Sequence, residues 1–155
     1  MIIERARASD AEEILSLQKL AFRREAVIYN DFNISPLVQT LNDIDKDFRR
    51  QIFLKATIEG RIIGSVRAFA NGETCFVGRL VVHPDFQNQG IGTKLMNEIE
   101  SLFRTCRRFE LFTGNKSERN IYLYQKAGYK IFKTEKITDN ITLVYLEKTL
   151  AQAKK

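Results

Sequence analysis

The spacing of apolar residues changes along the chain between a helical and a strand period. From Ile14 to Phe22 the apolar residues lie three and four apart, which predicts a helix that buries one face. Ser9 is the predicted N-cap, with Glu12 closing a capping box. We expect this helix to end near Arg24 and residues 25–34, which have no clean period, to form a loop.

A second helix is predicted to begin at Ser35-Pro36, with the serine as cap and the proline in the first helical position. Its core face would carry Leu37, Leu41, Ile44 and Phe48.

Short apolar runs then predict strands. A first strand covers residues 2–7, and three consecutive strands follow the helices at residues 52–58, 62–70 and 74–82. Their links are too short for a crossover, so we expect antiparallel pairing. Asn71-Gly72 predicts a type I′ turn, and Pro84 ends the third of these strands.

The second half of the chain alternates helices and strands. A helix follows Gly92, and a strand over residues 108–113 is expected to run parallel to residues 74–82. A further helix runs from its cap Ser117 to about Ala127, and residues 129–136 and 141–148 form a closing hairpin. The order βααβββαβαββ predicts an α/β fold with one mixed sheet. We expect one domain over residues 1–150 and a frayed tail at residues 151–155.

Composition narrows the possible functions. The 155 residues are 44% hydrophobic, and neither an apolar run long enough to cross a membrane nor a signal peptide is present, so we expect a cytoplasmic protein. Cys75 and Cys106 lack metal-ligand spacing and are predicted to be buried thiols; no metal is expected. The net charge of +6 is scattered in pairs without a nucleic-acid-binding motif, so neither nucleic acid nor membrane is an expected partner.

The stretch Leu80 to Met96 carries the strongest candidate chemistry. Gly90 and Gly92 lie between an apolar strand and an amphipathic helix. The first N–H groups of a helix have no intrahelical partner, and the helix dipole favours an anion there. On spacing alone, a tight strand-to-helix turn explains the glycines equally well. The pattern is neither a P-loop nor the GxGxxG dinucleotide fingerprint.

Two motifs resemble a known family. The pattern L-x-V-x-P-x-x-Q-x-x-G-x-G over residues 80–92 is similar to the acetyl-CoA-binding signature of the Gcn5-related N-acetyltransferase (GNAT) superfamily. Residues 120–129, NIYLYQKAGY, resemble its second cofactor segment. The resemblance implies the acyl-CoA N-acyltransferase fold, whose central sheet is splayed. It also implies acetyl-CoA as acyl donor and direct transfer to an amine.

The same resemblance assigns cofactor contacts. Main-chain groups of Leu80, Val81 and Val82 would pair with the pantetheine arm. The pyrophosphate would lie against the N–H groups of the glycine loop: Gln87, Asn88, Gln89, Gly90, Ile91, Gly92 and Thr93. Gln87 occupies a position where the family often has arginine. Ser117 stands where many relatives have asparagine, which leaves Asn115 or Asn120 to supply that contact.

For catalysis, Tyr124 matches the family tyrosine that protonates the leaving thiolate. A phenol with an ordinary pKa near 10 stays protonated at neutral pH and can stabilise a thiolate. The alternative is a structural tyrosine on an amphipathic helix. No general base transfers, because the family's glutamate position falls near Gly78 or Arg79. Glu73, Glu110 and His83 remain open as the base, and so do action through a water and capture of an amine that is already neutral.

Candidate substrate contacts come from the predicted acceptor wall. Glu25 and Tyr29 are assigned by resemblance, against the alternative of ordinary loop residues. Arg79 could hold a carboxylate of the acceptor or pair with a neighbouring acid. The sequence thus predicts an N-acetyltransferase acting on a primary amine, with a small-molecule acceptor favoured. A non-catalytic acyl-CoA sensor is the main rival, and dimerisation is left open.

Overall fold

The computed structural model describes residues 1–150, in which all strands join one seven-stranded sheet of order β1-β2-β3-β4-β5-β7-β6. The strands are β1 Ile2–Arg5, β2 Ile52–Ile58, β3 Arg61–Asn71, β4 Thr74–Val82, β5 Arg108–Gly114, β6 Lys130–Lys136 and β7 Thr142–Thr149. The helices are α1 Ala11–Tyr29, α2 Ser35–Val38, α3 Leu41–Arg50, α4 Ile91–Ser101 and α5 Glu118–Lys126. The mixed α/β fold is confirmed; the tail at residues 151–155 lies outside the described residues.

Helix α1 differs from its prediction at both ends. A 3-10 turn over Ala8–Asp10 precedes it, and the Asp10 carboxylate accepts the Arg7 N–H at 2.8 Å, so the predicted cap at Ser9 with Glu12 is wrong. The helix continues five residues beyond Arg24 and ends at Asn30, in the left-handed region with φ 49°. The extra turn buries Ala26 and Tyr29, and this tertiary packing explains why the predicted loop is helical there.

The second predicted helix is two helices. Gln39 is extended with ψ 135°, which separates α2 from α3. Thr40 then caps α3: its hydroxyl accepts the Asp43 N–H at 3.1 Å, and the Asp43 carboxylate accepts the Thr40 N–H at 3.0 Å. Ser35 is the first residue of α2 rather than its cap.

Two tight turns join β2 to β4, and the type I′ turn is not where it was predicted. Glu59 and Gly60 are both left-handed, with φ 52° and 77°, as a type I′ turn requires. The next hairpin turns on Gly72 and Glu73, and of these Gly72 alone has positive φ, at 64°. That pattern is typical of type II′, so the type I′ prediction at Asn71-Gly72 is wrong.

Successive residues of the central strands face opposite layers of apolar side chains. Leu54 packs in a cluster with residues of α4 and α5, whereas its neighbour Phe53 packs with residues of α1 and α3. Both cysteines, Cys75 and Cys106, are free and buried, as predicted, and burial raises the pKa of Cys75 to about 12. Among residues 1–150, no helix has the length and apolar character needed to cross a bilayer.

The sheet opens between β4 and β5. These strands run parallel, as predicted, but pair only at Thr74–Arg108, Cys75–Phe109 and Phe76–Glu110. Beyond Phe76, β4 pairs with β3 alone, and β5 continues its pairing with β7. A gap between the two strands follows from this geometry.

Candidate functional site

The main chain of β4 turns N–H groups toward the gap that β5 does not pair. The His83 N–H donates to the Ile63 carbonyl of β3 at 2.7 Å. Because successive N–H groups point to opposite sides of a strand, those of Leu80 and Val82 face the gap. Val81 instead pairs with Ser65 of β3 and has a buried side chain, so its predicted cofactor contact is not favoured by this geometry.

The glycine loop forms an open concave turn at one end of the gap. Asn88 and Gly90 are both left-handed, with φ 64° and 80°. A Cβ built on Gly90 would meet nothing within 4 Å, so the space in front of it is free. Helix α4 makes its first i to i−4 bond at 3.1 Å, from Lys94 to Gly90, which leaves the N–H groups of Ile91, Gly92 and Thr93 for an anion.

Arg119 is a site residue that sequence reasoning missed. From the first turn of α5, its guanidinium donates to Gln87 Oε1 at 3.1 Å and to Asn88 Oδ1 at 2.6 Å. The Gln87 amide in turn donates to the Val82 carbonyl at 3.2 Å. Gln87 occupies a position where relatives often have arginine. A guanidinium from α5 therefore contacts the glycine loop at this position. The sequence did contain a signal for this contact, because Arg119 directly precedes the second cofactor motif in the first turn of its helix.

Tyr124 lies on the buried face of α5, with its ring 6.1 Å from that of Tyr129. Its hydroxyl makes no hydrogen bond to another residue of the described chain, although every fully buried side-chain polar atom there has a partner. The hydroxyl therefore reaches accessible space. Burial, and secondarily the charge of Glu25, raises the pKa of Tyr124, which keeps the phenol protonated as a proton donor. Tyr122 is 67% exposed and lies on a different face of α5.

Glu25, Tyr29 and Ser117 form a hydrogen-bonded cluster that ties α1 to the start of α5. The Ser117 hydroxyl donates to the Glu25 carboxylate and lies 2.7 Å from Tyr29 Oη. Since a hydroxyl has one proton, Tyr29 donates to Ser117, and the Lys116 N–H donates to Tyr29 Oη at 2.8 Å. Ser117 occupies the N-cap position of α5, but its side chain makes no cap bond and is committed to α1. That commitment argues against its predicted cofactor contact.

Asn115 and Asn120, the other two residues predicted here to contact the cofactor, have no side-chain hydrogen bond to this cluster. Asn115 is exposed, and its N–H donates to the Thr142 carbonyl at 2.8 Å. Asn120 is half-buried on α5 without a side-chain hydrogen bond to a described residue, which leaves its amide available.

Replacing Tyr29 with phenylalanine is expected to lower the free energy of unfolding by about 1–3 kcal/mol, because the part-buried Lys116 N–H and the buried Ser117 hydroxyl each lose a partner. Urea denaturation measures the loss. Tyr145→Phe is the matched control, since its hydroxyl bonds to Glu135 at an exposed position. Equal losses in both variants would contradict a structural role for the Tyr29 hydroxyl.

The three residues considered as general base have other partners. Glu73 is exposed in the turn before β4 and pairs with Arg107, and Glu110 accepts from Arg108 at 2.8 Å. The His83 ring nitrogens lie 2.9 Å from Arg61 Nη2 and 3.1 Å from the Asp85 nitrogen, and a neutral imidazole accepts from one of these two donors. Glu25 is the carboxylate whose charge acts on Tyr124.

Beneath helices α1 to α3, four polar side chains form a hydrogen-bonded ring against the sheet. Arg67, on β3 and 3% exposed, donates to Asp47 Oδ2 at 2.7 Å and to Gln18 Oε1. Gln39 closes the ring, donating to Asp47 at 2.7 Å and accepting from Gln18 at 2.8 Å. Two signals for this ring stood in the sequence: a glutamine on the apolar face of α1 and an arginine inside an apolar strand. Arg79 lies beside it and donates to Ser35 Oγ at 2.8 Å.

A mixed sheet that opens beside a glycine turn and a buried tyrosine is the architecture of an acyltransferase. A family model described as the acetyltransferase (GNAT) family matches residues 11–129, which is more than half of the chain. The chain therefore belongs to the GNAT family, whose acyl donor is acetyl-CoA.

Two relatives resemble the chain in sequence, and a solved structure shares its fold. A protein of Pectobacterium atrosepticum named acetyltransferase ECA0875 is 30% identical over 102 residues, covering 61% of this chain and 72% of that protein. UPF0157 protein YqkA of Bacillus subtilis is 28% identical over 141 residues, 91% of this chain, and the chain spans 40% of its length. The structure of the PaiA N-acetyltransferase of Thermoplasma acidophilum in complex with coenzyme A superposes with a TM-score of 0.81 at 18% identity, covering 96% of this chain and 99% of that one.

Proposed function

We propose that residues 1–150 form an N-acetyltransferase domain that transfers the acetyl group of acetyl-CoA to a primary amine of a small molecule. The observation that carries the proposal is the gap after the third β4–β5 pair, with the glycine turn at its end. The gap-facing groups of Leu80 and Val82 fit the amide-bearing arm of coenzyme A. The free N–H groups at the start of α4 and the Arg119 guanidinium fit its phosphates.

The chemistry assigned to the chain is direct transfer. Bound acetyl-CoA supplies an electrophilic thioester. The amine nitrogen forms the new N–C bond as the C–S bond breaks, and the electron pair leaves on sulfur. Tyr124 donates its proton to that sulfur and recovers one from solvent, while the amine nitrogen releases its proton to solvent. Both cysteines are buried, and Cys75 has a raised pKa, so neither is suited to carry the acetyl group.

One further feature bears on where the protein acts. Two free, buried thiols suit a reducing compartment such as the cytoplasm.

Calorimetric titration with acetyl-CoA, coenzyme A and ATP tests the donor. We expect acetyl-CoA and coenzyme A to bind, and ATP, which lacks the arm, to bind much more weakly. Arg119→Gln should weaken acetyl-CoA binding about tenfold, since a charge-assisted contact to phosphate is worth about 1.5–3 kcal/mol, reduced by exposure. Arg104→Gln, at an exposed arginine outside the gap, is the matched control.

Thiol release from acetyl-CoA in the presence of amines tests the transfer. Failure of coenzyme A to bind would overturn both the enzyme and the sensor. Binding without thiol release across a panel of amines would favour the non-catalytic sensor.

A further inference from the structure

Two guanidinium groups lie together on the face of the sheet covered by α1, α2 and α3. Arg67 belongs to β3, and Arg79 belongs to the adjacent strand β4. Their charges act on each other: burial first, and then the charge of Arg79, lowers the pKa of Arg67 to about 10. The pair therefore forms a local concentration of positive charge beneath the helices.

Of the two arginines, only Arg67 is paired with a carboxylate of residues 1–150. Asp47 forms an ion pair with Arg67 at 2.7 Å. The hydrogen bond of Arg79 goes to the neutral Ser35 hydroxyl, and no carboxylate oxygen of residues 1–150 lies within 4.0 Å of its nitrogens. Two cations and one anion leave an excess of one positive charge. Arg79 is half-buried, and most of its five N–H donors remain available.

A bulge in β4 sets the direction of Arg79. Ser65 pairs with Val81, and Arg67 pairs with Gly78, so β4 carries one extra residue across from Val66. Arg79 lies in this bulge with φ 50°, a left-handed conformation that costs a non-glycine residue about 1 kcal/mol or more. The bulge follows the last β4–β5 pair at Phe76, so the residue held in this conformation lines the start of the gap.

We propose that Arg79 binds a carboxylate of the acceptor, and that the acceptor is an amine that also carries a carboxylate. This inference rests on the proposed function of the site. A single carboxylate neutralises the excess charge, whereas a dianionic phosphate ester would reverse it. The Glu25 carboxylate, which accepts from the Ser117 hydroxyl at the start of α5, supplies the opposite charge for the ammonium group. The two signs of charge suit a zwitterion such as an amino acid.

Steady-state kinetics with matched acceptors tests the site. Glycine, β-alanine and 4-aminobutyrate span three amine-to-carboxylate spacings, and methylamine, ethylamine and propylamine are their counterparts without the carboxylate. At the best spacing, we expect the amino acid to exceed its counterpart in kcat/KM by at least about tenfold. Arg79→Gln should raise KM for that amino acid about 10- to 100-fold and leave the alkylamine unchanged. Arg79→Lys should retain part of the preference, and Arg50→Gln, at the exposed end of α3, should retain all of it.

A binding measurement separates this site from the transfer reaction. The protein saturated with coenzyme A is titrated with the N-acetyl derivatives of the three amino acids and with N-methylacetamide, which has no carboxylate. Carboxylate-selective binding that Arg79→Gln abolishes supports the site even if no amine is acetylated, a result that would overturn the transferase alone. Acetylation of amines with no carboxylate preference, or with a preference that survives in Arg79→Gln, overturns the site alone.

Two further results would test the assignment of Arg79 to a carboxylate. A stronger response to aminomethylphosphonate than to glycine would overturn the carboxylate assignment. If Arg79→Gln no longer binds coenzyme A, Arg79→Lys replaces it as the test variant, because lysine keeps the charge but loses the planar fork. Unchanged KM for the preferred amino acid in Arg79→Lys and in Ser35→Ala would then overturn the proposal.

Discussion

Replacing Tyr124 with phenylalanine is expected to lower kcat by about 10²- to 10⁴-fold, the range typical of a general acid. The buried ring stays in place, and the hydroxyl has no protein partner among the described residues, so folding and acetyl-CoA affinity should be nearly unchanged. Thiol release under saturating acetyl-CoA and amine gives kcat, and calorimetry gives the affinity. A fall in kcat with constant affinity identifies an interaction made in the transition state.

Tyr122→Phe is the matched control, because it removes the same hydroxyl from the same helix at a position that is 67% exposed. We expect no change in either quantity. If Tyr124→Phe also left kcat unchanged, proton donation by this phenol would be excluded. A loss of acetyl-CoA affinity equal to the loss of activity would make Tyr124 a binding residue.

The largest effect on stability is expected from Asp47→Ala. The substitution leaves the Arg67 guanidinium, 3% exposed, without a counter-charge in the apolar face of the sheet. Removing one partner of a buried ion pair costs about 3–5 kcal/mol, and the partial exposure of Asp47 places the expected loss near the lower end, at about 3 kcal/mol. Urea denaturation followed by circular dichroism measures it.

Two variants make this prediction specific. Asp139→Ala breaks an exposed pair with Lys136 and should cost at most about 1 kcal/mol. The double variant Asp47→Ala with Arg67→Met removes both charges and should recover about 1–3 kcal/mol relative to Asp47→Ala alone. The absence of any recovery would show that the cost comes from lost packing or from the Gln39 contact instead of the unpaired charge.

Sequence patterns predicted the elements whose signals are local. The strand Ile52–Ile58 is mostly apolar, with Lys55 and Thr57 as its polar residues, and its predicted bounds are confirmed. The motif over residues 80–92 identified the family, because Gly90 is left-handed in the turn itself and a Cβ on Gly92 would lie 3.0 Å from the Leu123 side chain.

Features that depend on distant partners could not be predicted in this way. Helix α1 continues to Tyr29 because Tyr29 packs against β5, where a Cβ on Gly114 would lie 2.0 Å from its hydroxyl. The Ser117 hydroxyl bonds to Glu25 and Tyr29, which lie 92 and 88 positions away, instead of capping its own helix. Which of several nearby polar groups a hydroxyl selects is decided by the folded chain, and helical periodicity contains no information about it.

The brief contact between β4 and β5 also bears on how the molecule opens. Three residue pairs join an antiparallel half of four strands to an antiparallel half of three. Main-chain ladders within each half are much longer, so local unfolding is cheapest along this seam. A ligand that hydrogen-bonds along Leu80 and Val82 extends the ladder across the seam. Bound ligand is then expected to slow amide hydrogen exchange in both halves, because it joins them as an eighth strand would.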